Sequence, residues 1–423
     1  MESRPHIAHP DSPFHAHSDA HERHSANHAH NHVVPERLSS RRDFLRTLMG
    51  TTLAGASMVE LAWHRAAWAR AAAQGSDARL FDLHKAVEGV FLAQARPQAT
   101  VNCNAVVFVR SKDVVVVDAH GRPSAAAALI AQLNREVTDK PVRYVINTHF
   151  HGDHTQGNRA YRASGRTVDF ISSTTTKELI SNLGPARAKA SLDAVPGEIE
   201  ALHKQAERAP TAEEKAFCAD QVRQLEAYAA ELKGYSPELP TITFDKSYLL
   251  PDSAFDLHLE FHGRAHTAGD IFVLCPQRRA IATGDACMGW VPNLVDGFPN
   301  AWPHTLDEVA QISFDHLLGG HGALESGRGV MRNLGNYIEE LTGRVERAKE
   351  AGLSVAEMQK QITADSLKSL ASNGYGAFLT AAMAAGLAHF GAPVPLQDWV
   401  NWNIRDIDKN LDWAQPSAIA AAA

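Results

Sequence analysis

The run Val142-Arg143-Tyr144-Val145-Ile146-Asn147-Thr148-His149-Phe150-His151-Gly152-Asp153-His154 decides the reading of this chain. An apolar stretch of strand character empties into a turn holding three imidazoles and one carboxylate, a density of metal-binding groups that packing alone seldom requires. Neutral imidazole and carboxylate together suit divalent zinc, manganese or iron, and a strand end is where a rigid sheet aims loop ligands at one point. Alternate residues of an extended segment point the same way, so His149 and His151 can grip one ion while Phe150 turns into the core. Asp153 and His154 are adjacent and diverge, so they face a second position beside the first. The implied geometry is a pair of ions roughly 3.5 to 4 Å apart, with Gly152 allowing the turn between the halves.

A dinuclear site needs further donors, and they occur downstream at strand ends. Phe255, Leu257, Leu259 and Phe261 alternate with Asp256, His258, Glu260 and His262, which predicts a half-buried strand with both histidines on its solvated face. It runs into Gly263-Arg264-Ala265-His266-Thr267-Ala268-Gly269-Asp270, where His266 leaves on a glycine-flanked turn as the expected third ligand of the first ion. Ile271 to Cys275 and Arg279 to Thr283 read as a hairpin whose second strand delivers Gly284-Asp285. Leu317-Leu318-Gly319-Gly320-His321-Gly322 then sets an imidazole among three glycines, where backbone can approach an ion closely. Cys287, two residues past Asp285, is read as a small buried thiol rather than a soft ligand.

In this order the motifs His149-x-His151-x-Asp153-His154, Gly263-x-x-His266-Thr267-x-Gly269-Asp270, Thr283-Gly284-Asp285 and Gly320-His321-Gly322 resemble those of the metallo-β-lactamase-fold hydrolases, across roughly residues 95 to 350. The resemblance implies an α/β fold, a four-layer αβ/βα sandwich with ions held at one edge by loops from both sheets. It implies His149, His151 and His266 on the first metal, Asp153, His154 and His321 on the second, and Asp285 between them. Asp118, which ends Val114-Val115-Val116-Val117, matches an aspartate that supports the metal loop from behind in this family. The chain departs from the family's small residue and glycine after that aspartate: Ala119-His120-Gly121 leaves His120 without an assigned role. With aspartate at 285, the ligand set is more similar to glyoxalase II and acyl-homoserine lactonases than to the β-lactamases that carry cysteine there.

The chemistry follows from the ligands. A hydroxide shared by two divalent ions is available near neutral pH, since each ion lowers the pKa of bound water, and Asp153 would orient it as catalytic residue. The expected reaction is hydrolysis of an ester, lactone, thioester or amide (β-lactam-like) bond on two Zn2+, with Fe or Mn as alternative metals. Two other readings stay open: a mononuclear non-heme iron redox enzyme of the same fold, and a metal-binding protein without catalysis.

The N-terminus carries a second signal. Ser40-Arg41-Arg42-Asp43-Phe44-Leu45-Arg46, followed by mostly apolar or small residues from Thr47 to Ala62, matches a twin-arginine export signal, with small-residue cleavage sites at Ala67-Trp68-Ala69 and Ala71-Ala72-Ala73. The expected partner is the twin-arginine export machinery and the expected location the periplasm. Glu60 and Arg65 interrupt the apolar stretch, which argues against a membrane anchor. Ahead of it, nine of the 23 histidines lie between His6 and His32 in a tract too polar to fold alone. That tract is read as an extension lost on cleavage rather than a source of catalytic ligands.

Composition fits a single catalytic domain with additions: 423 residues at 44% hydrophobic content can bury a large core. Lys plus Arg at 41 against Asp plus Glu at 48 gives a net charge of -7 with no basic concentration, which disfavours nucleic acid and favours a small-molecule substrate. Cys103, Cys218, Cys275 and Cys287 are too scattered for a disulfide framework. The domain reading is residues 1–73 for tail and signal, 74–350 for the catalytic domain with a helical insertion at about 174–240, and 351–423 for a C-terminal helical extension. The insertion is split at Ala209-Pro210-Thr211 into a helical hairpin that either overhangs the site or packs peripherally. Gly327 to Ala351 reads as a long helix, and Ser354-Val355-Ala356-Glu357 as a capping box opening the next. The C-terminal helices would pack on the sandwich or on another subunit. Trp290 and Trp302, in an aromatic and proline-rich loop after Asp285, are candidate walls of a pocket for a small, partly apolar substrate.

Overall fold

The computed structural model describes residues 80–96, 103–164, 167–387 and 395–411. The histidine-rich tail, the expected export signal and its expected cleavage sites lie outside the described residues.

Thirteen strands form among the described residues: β1 Phe81–Val87, β2 Val90–Ala95, β3 Ala105–Val109, β4 Val114–Val117, β5 Val142–Ile146, β6 Asp169–Ser173, β7 Ile242–Phe244, β8 Ser247–Leu250, β9 Leu257–Glu260, β10 Phe272–Cys275, β11 Ala280–Gly284, β12 His316–Gly319 and β13 Glu325–Ser326. They make two sheets. The first runs β1 to β7 in sequence order, antiparallel as far as β4 and parallel from β4 to β7. The second is ordered β13-β12-β11-β10-β9-β8, with only β11 and β12 parallel.

The helices are α1 Pro123–Glu136, α2 Gly152–Thr155, α3 Asn158–Ala163, α4 Thr174–Arg208, α5 Ala212–Glu231, α6 Trp302–Val309, α7 Gly329–Glu350, α8 Val355–Gln361, α9 Lys368–Ala371, α10 Tyr375–Leu387 and α11 Leu396–Asn410. Apolar contacts order them into layers. Leu92, Val106, Phe108, Val115 and Val117 of the first sheet meet Leu257, Leu259, Val273, Ala282 and Leu318 of the second. The outer face of the first sheet, through Val107, Val116 and Val145, packs on Ala126, Leu129 and Leu133 of α1. The outer face of the second, through Leu274, Ile281 and Leu317, packs on Trp302 and Leu306 of α6, on Ile338 and Leu341 of α7 and on Ile404 of α11. The result is the expected four-layer αβ/βα sandwich. It explains why β4 is four consecutive valines, all buried: both of its faces are covered, so alternation gives way to a continuous apolar run.

The added helices follow the local chemistry of the chain. Ser173 caps α4 by accepting from the Thr176 N–H, and Thr211 caps α5 by accepting from Glu214, so the Ala209-Pro210-Thr211 break separates two helices. The Ser354 and Glu357 capping box opens α8, and Gly352, at φ +78°, ends the run of α7. Each fully buried Ile338, Leu341 or Val345 on α7 contributes about 1.5–3 kcal/mol over an exposed position.

One strand differs from expectation. The alternating segment from Phe255 to Phe261 is a strand only over Leu257–Glu260, because β8 and β10 offer ladder partners only there. His258 stays half-exposed, but His262 is held on the protein with Nε2 2.9 Å from Glu260 Oε2 and its ring edge-on to Phe272.

Candidate metal centre

The predicted donors arrive at one place from four strand ends. β5 delivers His149 and His151 and leads into α2, which carries Asp153 and His154. The turn after β9 brings His266, braced where the Asp270 carboxylate accepts from the Thr267 N–H at 2.8 Å and hydroxyl at 2.6 Å. Asp285 follows β11 and His321 follows β12. All seven residues are buried, none more than 3% exposed.

Three groups of donor atoms cluster there: His149, His151 and His266; His149, His154 and Asp285; and Asp153, His154 and His321. His151 Nδ1 lies 3.1 Å from His149 Nε2 and 3.0 Å from His266 Nε2. Asp153 Oδ2 lies 3.2 Å from Nε2 of both His154 and His321. Asp285 reaches both groups, with Oδ1 3.5 Å from His154 Nε2, and Oδ2 3.4 Å from His321 Nε2 and 3.7 Å from His266 Nε2.

The outer partner of each histidine decides what its inner nitrogen can do. His149 Nδ1–H donates to Thr148 Oγ1 at 3.0 Å, and that hydroxyl donates onward to Asp118. His151 Nε2–H donates to Asp296 at 2.8 Å, His266 Nδ1–H to the Asn293 carbonyl at 3.0 Å, and His154 Nδ1–H to Asp118 at 2.9 Å. These four imidazoles therefore spend their protons outward. In the first group the lone pair of His151 Nδ1 lies about 3 Å from those of both His149 Nε2 and His266 Nε2, which repel unless a cation lies among them. Ligands at about 2.0–2.1 Å around one tetrahedral ion stand about 3.3 Å from each other, close to this spacing. Both oxygens of Asp153 and of Asp285 are buried without a hydrogen-bond partner, as expected of carboxylates waiting on metal. The residues fit metal ions.

Electrostatics agree. Burial, helped by the neighbouring imidazoles, holds His149 well below its ordinary pKa, and burial likewise lowers His151 and His266, so these three stay neutral, as metal donors must be. His154 differs. Burial alone would lower it, but Asp153, with Cys103, Asp285 and Asp118, outweighs burial and raises it. Asp153 and Asp285 are pushed up by burial and pulled down further by His154 and His321, ending well below the carboxylate range.

Backbone conformation positions these groups. Asp118 has φ +66°, unusual for a non-glycine residue, and this aims its carboxylate at the Thr148 N–H, the Thr148 hydroxyl and His154 together. At Gly320 a Cβ would stand 2.1 Å from Asp285 Oδ1 and 2.8 Å from His154 Cε1, so only glycine lets this strand end pass the cluster.

The remaining sequence candidates fall elsewhere. His120, at φ +68°, is fully buried, donates from Nδ1 to the Cys103 carbonyl at 2.8 Å and stacks 4.6 Å from Phe81; burial lowers its pKa to about 3. It is a neutral packing group. Trp290 and Trp302 sit in the core rather than on an open wall. Trp302 is fully buried, donates its indole N–H to Ala286 O at 2.9 Å and meets His266 edge-on, and Trp290 packs against Trp399. Cys287 is a buried apolar thiol, and all four cysteines are free. Asp296, Arg187, Thr148 and the Asn293 carbonyl escaped the sequence reading. Only the position of Asp296 within the loop after Asp285 hinted at a role.

Residues 99–289 match the model of the Metallo-beta-lactamase superfamily. Among solved structures, the chain is similar to the stereoselective inverting sec-alkylsulfatase Pisa1 from Pseudomonas sp., at 14% identity and a TM-score of 0.53, over 78% of this chain and 50% of that one. A double mutant of the same sulfatase gives 13% identity and a TM-score of 0.52 over the same shares. A metallo-beta-lactamase from Pontibacter korlensis gives 15% identity and a TM-score of 0.42, over 60% of this chain and 98% of that one. The chain spans about half the length of the sulfatases, and the likeness is one of fold: the sandwich is that of the metallo-β-lactamases.

Proposed function

We propose that this chain is an exported, dinuclear-zinc hydrolase that cleaves an ester, lactone, thioester or amide (β-lactam-like) bond in a small-molecule substrate. The observation that carries the reading is the set of inward lone pairs on His149, His151 and His266 beside the unpartnered carboxylates of Asp153 and Asp285. His149, His151 and His266 would hold one ion, Asp153, His154 and His321 the other, and Asp285 reaches both. When bound, such a pair supplies Lewis acidity and a water acidic enough to act as nucleophile near neutral pH. Asp153 Oδ2 faces His154 and His321, which leaves Oδ1 to accept a hydrogen bond from the attacking nucleophile and orient it. Burial of the whole cluster strengthens each of these interactions by excluding water.

The supporting comparisons are the superfamily match and the fold shared with a sec-alkylsulfatase, which adds secondary alkyl sulfates to the substrates worth testing. Export rests on the Arg41-Arg42 motif. The decisive experiment assays metal-replete mature protein on lactones, β-lactams, thioesters, aryl esters and alkyl sulfates, alongside His149→Ala and His151→Ala. Hydrolysis that disappears in both variants is expected; unchanged turnover in them refutes the assignment. Bound iron with a visible absorption band would instead indicate the redox enzyme. Stable metal binding with no turnover on any substrate would indicate a binding protein.

A further inference from the structure

We infer that the loop from Asn293 to Gly297 is the positioning element of the first metal site, and that the two segments added to the sandwich, helices α4 and α11, exist in part to hold it. The inference rests on the metal-site reading above. Two of the three first-site histidines take their outer hydrogen bond from this one loop: His266 Nδ1 donates to Asn293 O at 3.0 Å and His151 Nε2 to Asp296 Oδ2 at 2.8 Å. A loop alone is a poor support, yet this one is gripped from two sides. Arg187 of α4 makes a fork with Asp296, Nη1 to Oδ2 at 2.7 Å and Nη2 to Oδ1 at 2.6 Å. Asn410, the last residue of α11, is buried and spreads its amide Nδ2 over three carbonyls of the same loop: Leu294 at 2.5 Å, Gly297 at 3.1 Å and Val295 at 3.3 Å.

This support is private to the first site. The second-site His154 leans on Asp118, which belongs to the strand β4 end and touches neither α4 nor α11 in its hydrogen bonds. Arg187 also lies 4.8 Å over the ring of Phe150, between the two first-site ligands in sequence, so one side chain steadies both sides of His151. Asp296 and Asn410 act through the histidines and are positioning residues.

The test is a zinc titration of the full mature protein against a competing chelator, with His266→Ala and His321→Ala used to identify which step belongs to which site. Asp296→Asn is expected to weaken the first-site step by about 10- to 100-fold and to leave the second within about twofold. Asn410→Asp, which keeps the shape but cannot donate to carbonyls, should weaken the same step in the same direction. Circular dichroism and the melting curve report whether either variant has simply lost its fold. Equal loss at both sites, or no loss at either in the two variants, overturns the inference. A parent protein that binds no metal would refute the metal-site reading itself, and the inference with it.

Discussion

Replacing Asp118 by asparagine isolates one hydrogen-bonding duty at this centre. Asn tolerates the left-handed conformation better than most side chains, so the φ of +66° at this position is preserved and backbone strain is not the variable. The carboxylate accepts from three donors: Thr148 N–H at 2.9 Å, the Thr148 hydroxyl at 2.9 Å and His154 Nδ1–H at 2.9 Å. An amide has one acceptor oxygen. If that oxygen takes the Oδ1 position it keeps both Thr148 donors, the N–H at 2.9 Å and the hydroxyl at 3.1 Å, while an NH2 group confronts His154 Nδ1, and the imidazole must carry its proton on Nε2, the nitrogen the second site needs. The loss is one buried charge-assisted hydrogen bond, about 1.5–3 kcal/mol, which is roughly 10- to 150-fold in affinity. Zinc competition titrations should show the second-site step weakened by that factor with the first-site step little changed, and nitrogen NMR of the imidazoles should show His154 in the wrong tautomer. A second-site affinity within about twofold of the parent, with His154 still protonated at Nδ1, refutes the reasoning.

Gly320→Ala should be among the worst small substitutions in the chain, because the new methyl stands 2.1 Å from Asp285 Oδ1 and the surrounding core cannot yield; a stability loss of about 1–3 kcal/mol and reduced metal content are expected, and an unchanged melting curve with full metal content would contradict the packing. His120 supplies a pH prediction. Its pKa falls from 6.5 to about 3 on folding, so the unfolded chain binds the extra proton between those values, and stability declines as pH drops from 6.5 towards 3, by up to about 1.4 kcal/mol per pH unit. His120→Asn, which also accepts a positive φ, should flatten that part of the stability curve in denaturant titrations at successive pH values; an unaltered slope would exclude His120 as its source. Changing Arg41 and Arg42 to lysine should leave the protein inside the cell, measured by fractionation, and undiminished periplasmic protein would remove the export reading.

The seven donors were legible because metal chemistry restricts residue type and spacing so narrowly that tertiary context adds little. His149 to His154 fit into one turn, and His266, Asp285 and His321 each follow a strand whose pattern is readable. The layers were legible only through the resemblance that the donor motifs carry; the all-buried run Val114 to Val117 fits them, since a strand covered on both faces needs no alternation. What escaped notice depends on long-range contact. Asp296 is one aspartate in an irregular loop, and nothing local distinguishes it from a solvated one; its meaning comes from Arg187 more than a hundred positions earlier. Trp290 and Trp302 show the reverse error, since loop aromatics suggest a binding wall while the fold uses them as packing under His266 and α11. Around His258 the alternation from Phe255 to Phe261 runs past both ends of the paired strand, since only Leu257 to Glu260 have ladder partners.

The grip of Asn410 on the loop at 294–297 has a consequence for biogenesis. Translation runs from one end of the chain to the other, so a ribosome that has already released His321 must still add every residue through to Asn410. During that interval all the donors are present but the scaffold that steadies two of them is not. On the proposed reading, a prematurely terminated polypeptide would carry the whole donor motif but hold an ion loosely, so that metal retention would report finished synthesis.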